Sequence, residues 1–251
     1  MSFTALVLAG TRPGGDPLAR DMGVAHKSLI EIGGRTVLDR VLVALEEAGA
    51  SRIVVSADDS AVREIAFARG AEPIDPARGP SGSVAAALAQ TGAPLLVTTS
   101  DHALLEADWV EALISQTPDD ADLSVMLARR ELVERASPDT QRTYLRFADG
   151  AWSGCNLFYL RTDKARAALD LWQSVEKDRK RPWKIAARLG PATLLSLVLR
   201  RLSLAQGLHR LGSRVGLEAA LVPAPDGRAA IDLDKPQDLA LIEKLLTVEG
   251  S

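Results

Sequence analysis

The sequence predicts an α/β protein with three layers, in which a mostly parallel sheet lies between two layers of helices. Residues 3–9 form a short run that is apolar on both faces, as expected of a parallel strand covered by helices on both sides. Strand and helix patterns then alternate along the chain, and this order implies right-handed crossovers and a parallel sheet. With 251 residues and 47% apolar content, the chain can bury a large core as one domain.

The first half of the chain contains the clearest alternation. Strands are expected at 3–9, 52–56 and 72–74. A helix is expected after Thr36, which can cap it, and another from Ser60 to about residue 69. The first of these helices carries one apolar stripe, made of Val37, Leu38, Val41, Leu42 and Leu45.

The second half is less regular. Helical patterns follow at 84–90, 106–115 and at the C-terminus, and a strand leads into Asp101. Further strands are predicted at 122–130, 143–147, 152–160, 217–222 and 228–231. The segment 161–214 is predicted to be a helical insertion.

Composition excludes several function classes. Aromatic residues are only 4% of the chain, so stacking platforms for nucleic acid are not expected. No apolar run reaches the roughly 18 residues that a membrane helix needs. The single cysteine, Cys155, cannot form a disulfide within the chain, and we see no secretion leader, so we expect a cytoplasmic protein.

The first strand leads into a glycine-rich loop that is typical of a phosphate site. Glycines allow backbone N–H groups to approach phosphate oxygens, and here Gly10, Gly14 and Gly15 flank Arg12. The loop is not a P-loop, because no Gly-Lys-Ser/Thr follows, and it lacks the Gly-x-Gly-x-x-Gly spacing of dinucleotide folds. Lys27 follows before an apolar pair. We therefore predict a nucleoside triphosphate site.

Two acids are candidate ligands for Mg²⁺. Asp101 ends an apolar strand, which places its carboxylate at the carboxyl edge of the sheet, where open α/β folds bind ligands. Asp232 lies near the C-terminal end of the chain in the pattern IDLDKPQDL, in which Asp234 is expected to cap the last helix. Mg²⁺ on a triphosphate usually takes one or two protein carboxylates.

Two other segments contain small residues where a ligand could approach. Ser81 and Gly82 precede a helix and can present free N–H groups to a phosphate or base, although an ordinary turn and cap also explains them. Gly154 lies just before Asn156 in an otherwise apolar strand, which suggests close approach of a ligand.

These motifs resemble the MobA-like nucleotidyltransferases, a family that includes molybdenum-cofactor guanylyltransferase and sugar- and alcohol-phosphate nucleotidylyltransferases. The resemblance implies a Rossmann-like (GT-A-like) fold and an Mg²⁺-dependent enzyme of EC 2.7.7 type. The family's usual opening is L-x-A-G, a loop of small residues, an arginine and then Pro-Lys. This sequence differs from it at two positions, because Arg12 lies earlier than the family's arginine and His26 replaces the proline. Whether Arg12 or Arg20 meets the phosphates therefore stays open.

The resemblance also implies roles for individual residues. Lys27, Arg12 and Asp101 would be catalytic, and Asp101 and Asp232 would hold the metal. The nucleotide would contact Leu8, Ala9, Gly10, Thr11, Arg12, Lys27, Ser81, Gly82 and Ser100. The acceptor would contact Gly154, Asn156 and Lys184.

The segment 161–214 is strongly basic, with 13 Lys or Arg and 4 Asp or Glu. One interpretation is a helical subdomain with solvated charges. Another is a face for a phosphorylated acceptor or an anionic membrane surface, formed by Arg179, Lys180, Arg181, Lys184 and Arg188.

The reaction expected of these residues moves a nucleoside monophosphate from a triphosphate to a phosphorylated acceptor and releases pyrophosphate. A glycosyltransferase that uses a nucleotide-sugar is an alternative, although such enzymes generally carry a second acid where Ala103 stands. A non-catalytic nucleotide-binding adaptor is another alternative, but it would not need Lys27, Asp101 and Asp232 together.

Overall fold

The computed structural model describes residues 2–11, 14–138, 140, 142–178 and 201–249. Within these residues an eight-stranded mixed sheet runs in the order β10-β7-β9-β6-β1-β4-β5, and β8 pairs with β9. The strands of the first half are β1 Thr4–Ala9, β4 Arg52–Ala57, β5 Glu72–Ile74 and β6 Leu95–Thr99. Those of the second half are β7 Leu123–Arg129, β8 Leu145–Phe147, β9 Gly150–Leu160 and β10 Ala219–Pro223.

The sheet is parallel except around β9. β1 pairs in parallel with β4 on one side and with β6 on the other, and β10 pairs in parallel with β7. β9 runs antiparallel to β6, β7 and β8. A separate two-stranded ribbon is formed by β2 Glu31–Ile32 and β3 Arg35–Thr36. The predicted mostly parallel sheet is confirmed.

Helices cover both faces of the sheet. Those of the first half are α1 Pro17–Asp21, α2 Val37–Glu47, α3 Ser60–Ala68 and α4 Gly79–Thr91. Those that follow are α5 Ala107–Ser115, α6 Arg130–Ala136, α7 Arg166–Asp178, α8 Leu204–Ser213 and α9 Pro236–Glu249. Short 3₁₀ helices span Lys27–Leu29, Asp163–Ala165 and Gly227–Ala230.

Alternate residues of β1 enter two different core clusters, which explains why the strand is apolar on both faces. Val7 packs with the stripe of α2 and with residues of α5, whereas Leu6 packs with Val84 of α4 and Leu169 of α7. All these side chains are buried. The three-layer architecture thus follows from the period-two side-chain alternation of a central strand.

Two predicted elements were wrong in detail. Residues 228–231 form no strand, because Asp226 caps a 3₁₀ turn at Gly227–Ala230 by accepting from the Arg228 N–H. The helix predicted from Val84 begins five residues earlier at Gly79, with Pro80 in its first turn, so Ser81 and Gly82 lie inside α4. Proline in the first turn signals the start of a helix, because an N–H group at this position has no helical partner and its absence costs no hydrogen bond.

The basic segment is described in part. Its helices α7 and α8 flank residues 179–200, which lie outside the described residues, and so do all five basic residues proposed for the anion-binding face. α8 begins with a capping box formed by Ser203 and Gln206. No helix among the described residues is long and apolar enough to span a bilayer.

Candidate active site

The carboxyl ends of β1 and β6 bring the predicted residues to one edge of the sheet. Leu8 pairs with Thr99, and the Ser100 N–H donates to the Leu8 carbonyl at 3.0 Å. Gly10 and Asp101 therefore emerge side by side from neighbouring strands. Parallel strands of an open α/β sheet bind ligands at this edge.

Lys27 reaches the same edge from its 3₁₀ helix. Its Nζ lies 2.5 Å from Asp101 Oδ2, 2.7 Å from Asp234 Oδ1 and 3.9 Å from Asp16 Oδ2, and only 8% of the side chain is exposed. Burial would lower the pKa of Lys27, but Asp101 and Asp234 outweigh this effect and raise it. Lys27 is therefore a fixed positive charge at the end of the sheet.

His26 holds the backbone that presents Lys27. Its Nδ1 accepts from the Ser28 N–H at 3.2 Å and contacts Ser28 Oγ at 2.6 Å, so the ring caps the 3₁₀ helix. Residue 26 has φ of −141°, which lies outside the range that proline allows. The departure from the family's proline is thus matched by a different backbone conformation and a side-chain cap.

Asp101 is a buried carboxylate whose two oxygens differ in their contacts. Its Oδ2 pairs with Lys27, whereas its buried Oδ1 has no hydrogen-bond partner among the described residues. Burial would raise the pKa of Asp101, but the Lys27 charge outweighs it and the pKa lies below its usual value. Asp101 is therefore ionised, with an oxygen that lacks the partner a buried polar atom normally has.

Asp232 lies beside Asp101. The next residue, Leu233, donates its N–H to the Asp101 carbonyl at 3.0 Å, which joins the two acidic segments. The Asp232 carboxylate accepts from Arg142 at Oδ1 and from Asn156 Nδ2 at Oδ2, the latter at 2.9 Å. Burial and the charge of Asp101 raise the pKa of Asp232 to about 6, although Arg142 acts in the opposite direction.

The donor set fits Mg²⁺. Hard carboxylate oxygens are the ligands Mg²⁺ prefers, and one or two suffice when a triphosphate supplies the rest. Asp101 Oδ1, which has no hydrogen-bond partner among the described residues, offers one such ligand, and Asp232 Oδ2, with one hydrogen bond, retains a second lone pair. Within the described residues no group of three or more His, Cys, Asp or Glu side chains could hold a metal ion.

The start of the glycine-rich loop is bound by Asp58, an acid that directly follows β4, the neighbour of β1 in the sheet. Both the N–H and the Oγ1 of Thr11 donate to Asp58 Oδ1 at 2.9 Å. A phosphate that binds the Thr11 N–H must displace this carboxylate. Arg12 lies outside the described residues, and Arg20 is exposed in the last turn of α1.

The remaining predicted nucleotide contacts lie near the same edge. α4 follows the parallel strand β5, so its first turns, with buried Ser81 and with Gly82, begin at the carboxyl side of the sheet. Ser100 is buried directly after β6.

Residues proposed for the acceptor fall on β9. Gly154 is exposed, and a side chain at this position would meet nothing within 4 Å. Asn156 adopts a left-handed backbone with φ of 51° and contacts Asp232. Lys184 lies outside the described residues.

Sequence reasoning missed two residues of this site. Asp234 was expected to cap the last helix; its side chain pairs with Lys27, while Asp238 in the first turn of α9 accepts from the Asp234 and Lys235 N–H groups. The pattern IDLDKPQDL is compatible with Asp234 as a helix cap and also with Asp234 as the partner of a distant lysine. Arg142 carried no signal, because it lies 90 residues from its partner Asp232 in an irregular segment.

Comparison with known proteins agrees with this geometry. The family model described as MobA-like NTP transferase domain matches residues 5–181. A hypothetical transferase from Thermus thermophilus is 32% identical with a TM-score of 0.81, and the match covers 95% of this chain and 100% of that one. A search of curated proteins found no match.

Two more distant structures share the fold. A CMP:2-keto-3-deoxy-manno-octonic acid synthetase complexed with CTP is 15% identical with a TM-score of 0.62, and the match covers 99% of each chain. The 2-C-methyl-D-erythritol 4-phosphate cytidylyltransferase from Thermus thermophilus is 17% identical with a TM-score of 0.54, covering 98% of this chain and 100% of that one. On the strength of the family match, the chain belongs to the MobA-like NTP transferase domain family and is a nucleotidyltransferase.

Proposed function

We propose that this protein transfers a nucleoside monophosphate from a nucleoside triphosphate to a phosphorylated small-molecule acceptor, with Mg²⁺ as cofactor and pyrophosphate as product. The observation that carries the proposal is the buried contact of 2.5 Å between Lys27 and Asp101 at the carboxyl edge of the sheet. A buried lysine can bind an anion, and a buried acid with an oxygen that has no hydrogen-bond partner among the described residues can bind a cation at the same place.

The attacking group would be an oxygen of the acceptor phosphate. It forms a bond to the α-phosphorus, and the bond to the pyrophosphate oxygen breaks. A phosphate is ionised near neutral pH, so the step needs no general base from the protein. Catalysis then rests on alignment and on neutralisation of charge.

Lys27 would stabilise the negative charge that develops on the α-phosphate. Its ammonium group has three N–H donors, and the two close contacts to Asp101 and Asp234 leave one for a phosphate oxygen. Because the two acids raise its pKa in spite of burial, the charge is present throughout the physiological pH range. Backbone groups of Ala9, Gly10 and Thr11, together with Arg12, would hold the nucleotide.

Asp101 and Asp232 would hold Mg²⁺, which when bound neutralises phosphate charge and orients the triphosphate. Ser81 and Gly82 would contact the nucleotide from α4, and Gly154, Asn156 and Lys184 would lie on the acceptor side. The basic segment 161–214 remains a candidate surface for an anionic acceptor or membrane. A cytoplasmic location also stays a prediction.

The test is pyrophosphate release. Each of ATP, CTP, GTP and UTP is incubated with Mg²⁺ and a panel of sugar and alcohol phosphates, with CTP first because two structures of the same fold are named for cytidine nucleotides. Asp101→Asn is expected to lower turnover by about 100-fold or more. Asp119→Asn is the matched control, because Asp119 is fully exposed beyond the end of α5.

Two results would contradict the proposal. One is the absence of pyrophosphate release with all four triphosphates while a nucleotide-sugar is turned over, which favours the glycosyltransferase alternative. The other is wild-type turnover in Asp101→Asn.

A further inference from the structure

The two candidate metal ligands are held in the same way. In each carboxylate, one oxygen forms an ion pair with a cation that is at most 10% exposed. Asp101 Oδ2 pairs with Lys27, and Asp232 Oδ1 pairs with Arg142. The other oxygen of each is less engaged, since Asp101 Oδ1 has no hydrogen-bond partner among the described residues and Asp232 Oδ2 accepts one bond, from Asn156. The sequence alone predicted no role for Arg142, and it predicted that Asn156 contacts the acceptor.

Arg142 is fixed by three contacts to the C-terminal segment. Besides Asp232 Oδ1, it donates to the Asp232 carbonyl at 2.9 Å and to Asp238 Oδ1 at 3.1 Å, and only 10% of its side chain is exposed. Asp238, in the first turn of α9, in turn accepts from the backbone N–H groups of Asp234 and Lys235. The guanidinium therefore holds both the carboxylate and the backbone of Asp232 against a helix terminus.

Asn156, on β9, contacts the second oxygen of the Asp232 carboxylate. It is the one residue other than glycine with positive φ among the described residues. Asparagine tolerates this conformation better than most residues, yet it retains a cost that glycine would avoid. The conformation aims Nδ2 at Asp232 Oδ2, at 2.9 Å. A strained backbone that delivers one hydrogen bond to a candidate ligand points to a functional constraint.

We propose that Arg142 and Asn156 are positioning residues that orient the Asp232 carboxylate as a metal ligand. The inference rests on the proposed function, and it assigns Asn156 to the metal side of the site instead of direct contact with the acceptor. Groups that orient a ligand without touching the metal set its affinity, and their loss typically lowers metal affinity about 10- to 100-fold.

A purely structural role makes a different prediction. If Arg142 only ties its irregular segment to α9, its removal lowers stability and leaves metal affinity unchanged. If it acts as a cation that repels Mg²⁺ from Asp232, its removal tightens metal binding. Direct measurement of metal binding separates these roles, because neither alternative predicts a loss of affinity in a folded variant.

The experiment measures Mn²⁺ binding by the enhancement of water proton relaxation, which distinguishes ions on the protein from ions on free nucleotide. Mn²⁺ is titrated alone and then with each of ATP, CTP, GTP and UTP, into wild type, Arg142→Ala and Asn156→Gly. Asn156→Gly keeps the left-handed backbone while removing the amide, so it serves even if Arg142→Ala does not fold. Arg130→Ala is the matched control, since Arg130 is a half-exposed arginine of α6 that pairs with Glu134 and, in the described part of the chain, forms no ion pair with Asp101 or Asp232.

We expect Arg142→Ala and Asn156→Gly to weaken Mn²⁺ binding tenfold or more, while Arg130→Ala stays at the wild-type value. Unchanged or tighter Mn²⁺ binding in folded Asn156→Gly overturns the inference, and so does the same result in folded Arg142→Ala. Wild-type pyrophosphate release with unchanged binding in the variants refutes only the positioning role. Failure of the wild type to bind Mn²⁺ with any triphosphate and to release pyrophosphate refutes the proposed function as well.

Discussion

Replacing Lys27 with methionine should destabilise the protein at neutral pH because it leaves a buried acid without its counter-charge. Asp101 Oδ2 pairs with Lys27, and among the described residues Asp101 Oδ1 has no hydrogen-bond partner that could compensate for the loss of this cation. Both side chains are less than a tenth exposed. Breaking a buried pair in this way costs about 3–5 kcal/mol in the free energy of unfolding. For a chain of this size, the loss corresponds to a fall of about 10 °C in Tm.

The pH dependence of this loss provides a sharper test. In the wild type, the depressed pKa of Asp101 contributes stability that is present above its unfolded pKa and lost as pH falls through its folded pKa. Without Lys27, burial is left as the main influence and raises this pKa above the unfolded value. Protonation then relieves the variant in acid, so the stability difference from wild type should shrink between pH 7 and pH 5.

Urea unfolding at pH 7 and pH 5 measures both effects. The double variant Lys27→Met/Asp101→Asn should recover most of the lost stability at pH 7, because the buried carboxylate that Lys27 neutralises is removed together with it. Lys164→Met is the control, since Lys164 is largely exposed and 3.9 Å from Asp122, and it should change stability by less than about 1 kcal/mol. The reasoning is refuted if Lys27→Met equals wild type at pH 7, or if its deficit is the same at both pH values.

Three further predictions concern stability. Gly227→Ala should lower the free energy of unfolding by about 3 kcal/mol or prevent folding, because the new Cβ would lie 2.2 Å from the Leu132 carbonyl oxygen. Gly154→Ala is the control. It has open space around it and should match wild type in the same urea titration. The pKa of Asp232 is raised to about 6, so this residue contributes stability below its unfolded pKa, and the contribution is lost as pH rises through 6. Asp232→Asn should therefore make the free energy of unfolding depend less on pH between pH 4 and pH 7. An unchanged dependence on pH would contradict this. His26→Ala should lose about 1 kcal/mol of unfolding free energy, measured with urea, and should lower turnover, because the 3₁₀ helix loses its cap. His26→Asn should retain the cap. Equal unfolding free energies for the two variants would argue against the cap.

Much of the fold was predictable because local signals and tertiary packing agree. The apolar stripe of α2 begins after Thr36, whose Oγ1 accepts from the Asp39 N–H as a cap should. β1 is apolar on both faces because helices pack against both. Where a local signal admitted two structures, prediction was less accurate. The short run 228–231 suits a strand by composition, yet Asp226 caps it as a 3₁₀ turn.

The site was predictable to the extent that it depends on strand ends. Asp101 reaches the carboxyl edge because β6 ends at Thr99, which the apolar pattern indicates. Asp234 and Arg142 were not predictable as site residues, because their partners lie far away in sequence: Lys27 is 207 residues from Asp234, and Asp232 is 90 residues from Arg142. Long-range ion pairs leave no periodicity in the sequence, so only the folded chain reveals them.

A crystal structure with Mn²⁺ and the triphosphate that gives the largest thermal shift shows whether Asp101 and Lys27 form the catalytic centre. The crystals are grown without acceptor so that the nucleotide stays intact. The anomalous signal of Mn²⁺ locates the ion independently of the phosphates. We predict the ion on Asp101 Oδ1 and the Lys27 Nζ within hydrogen-bond distance of the α-phosphate. An ion away from Asp101, or a triphosphate bound out of reach of Lys27, would contradict the claim that these two residues form the catalytic centre.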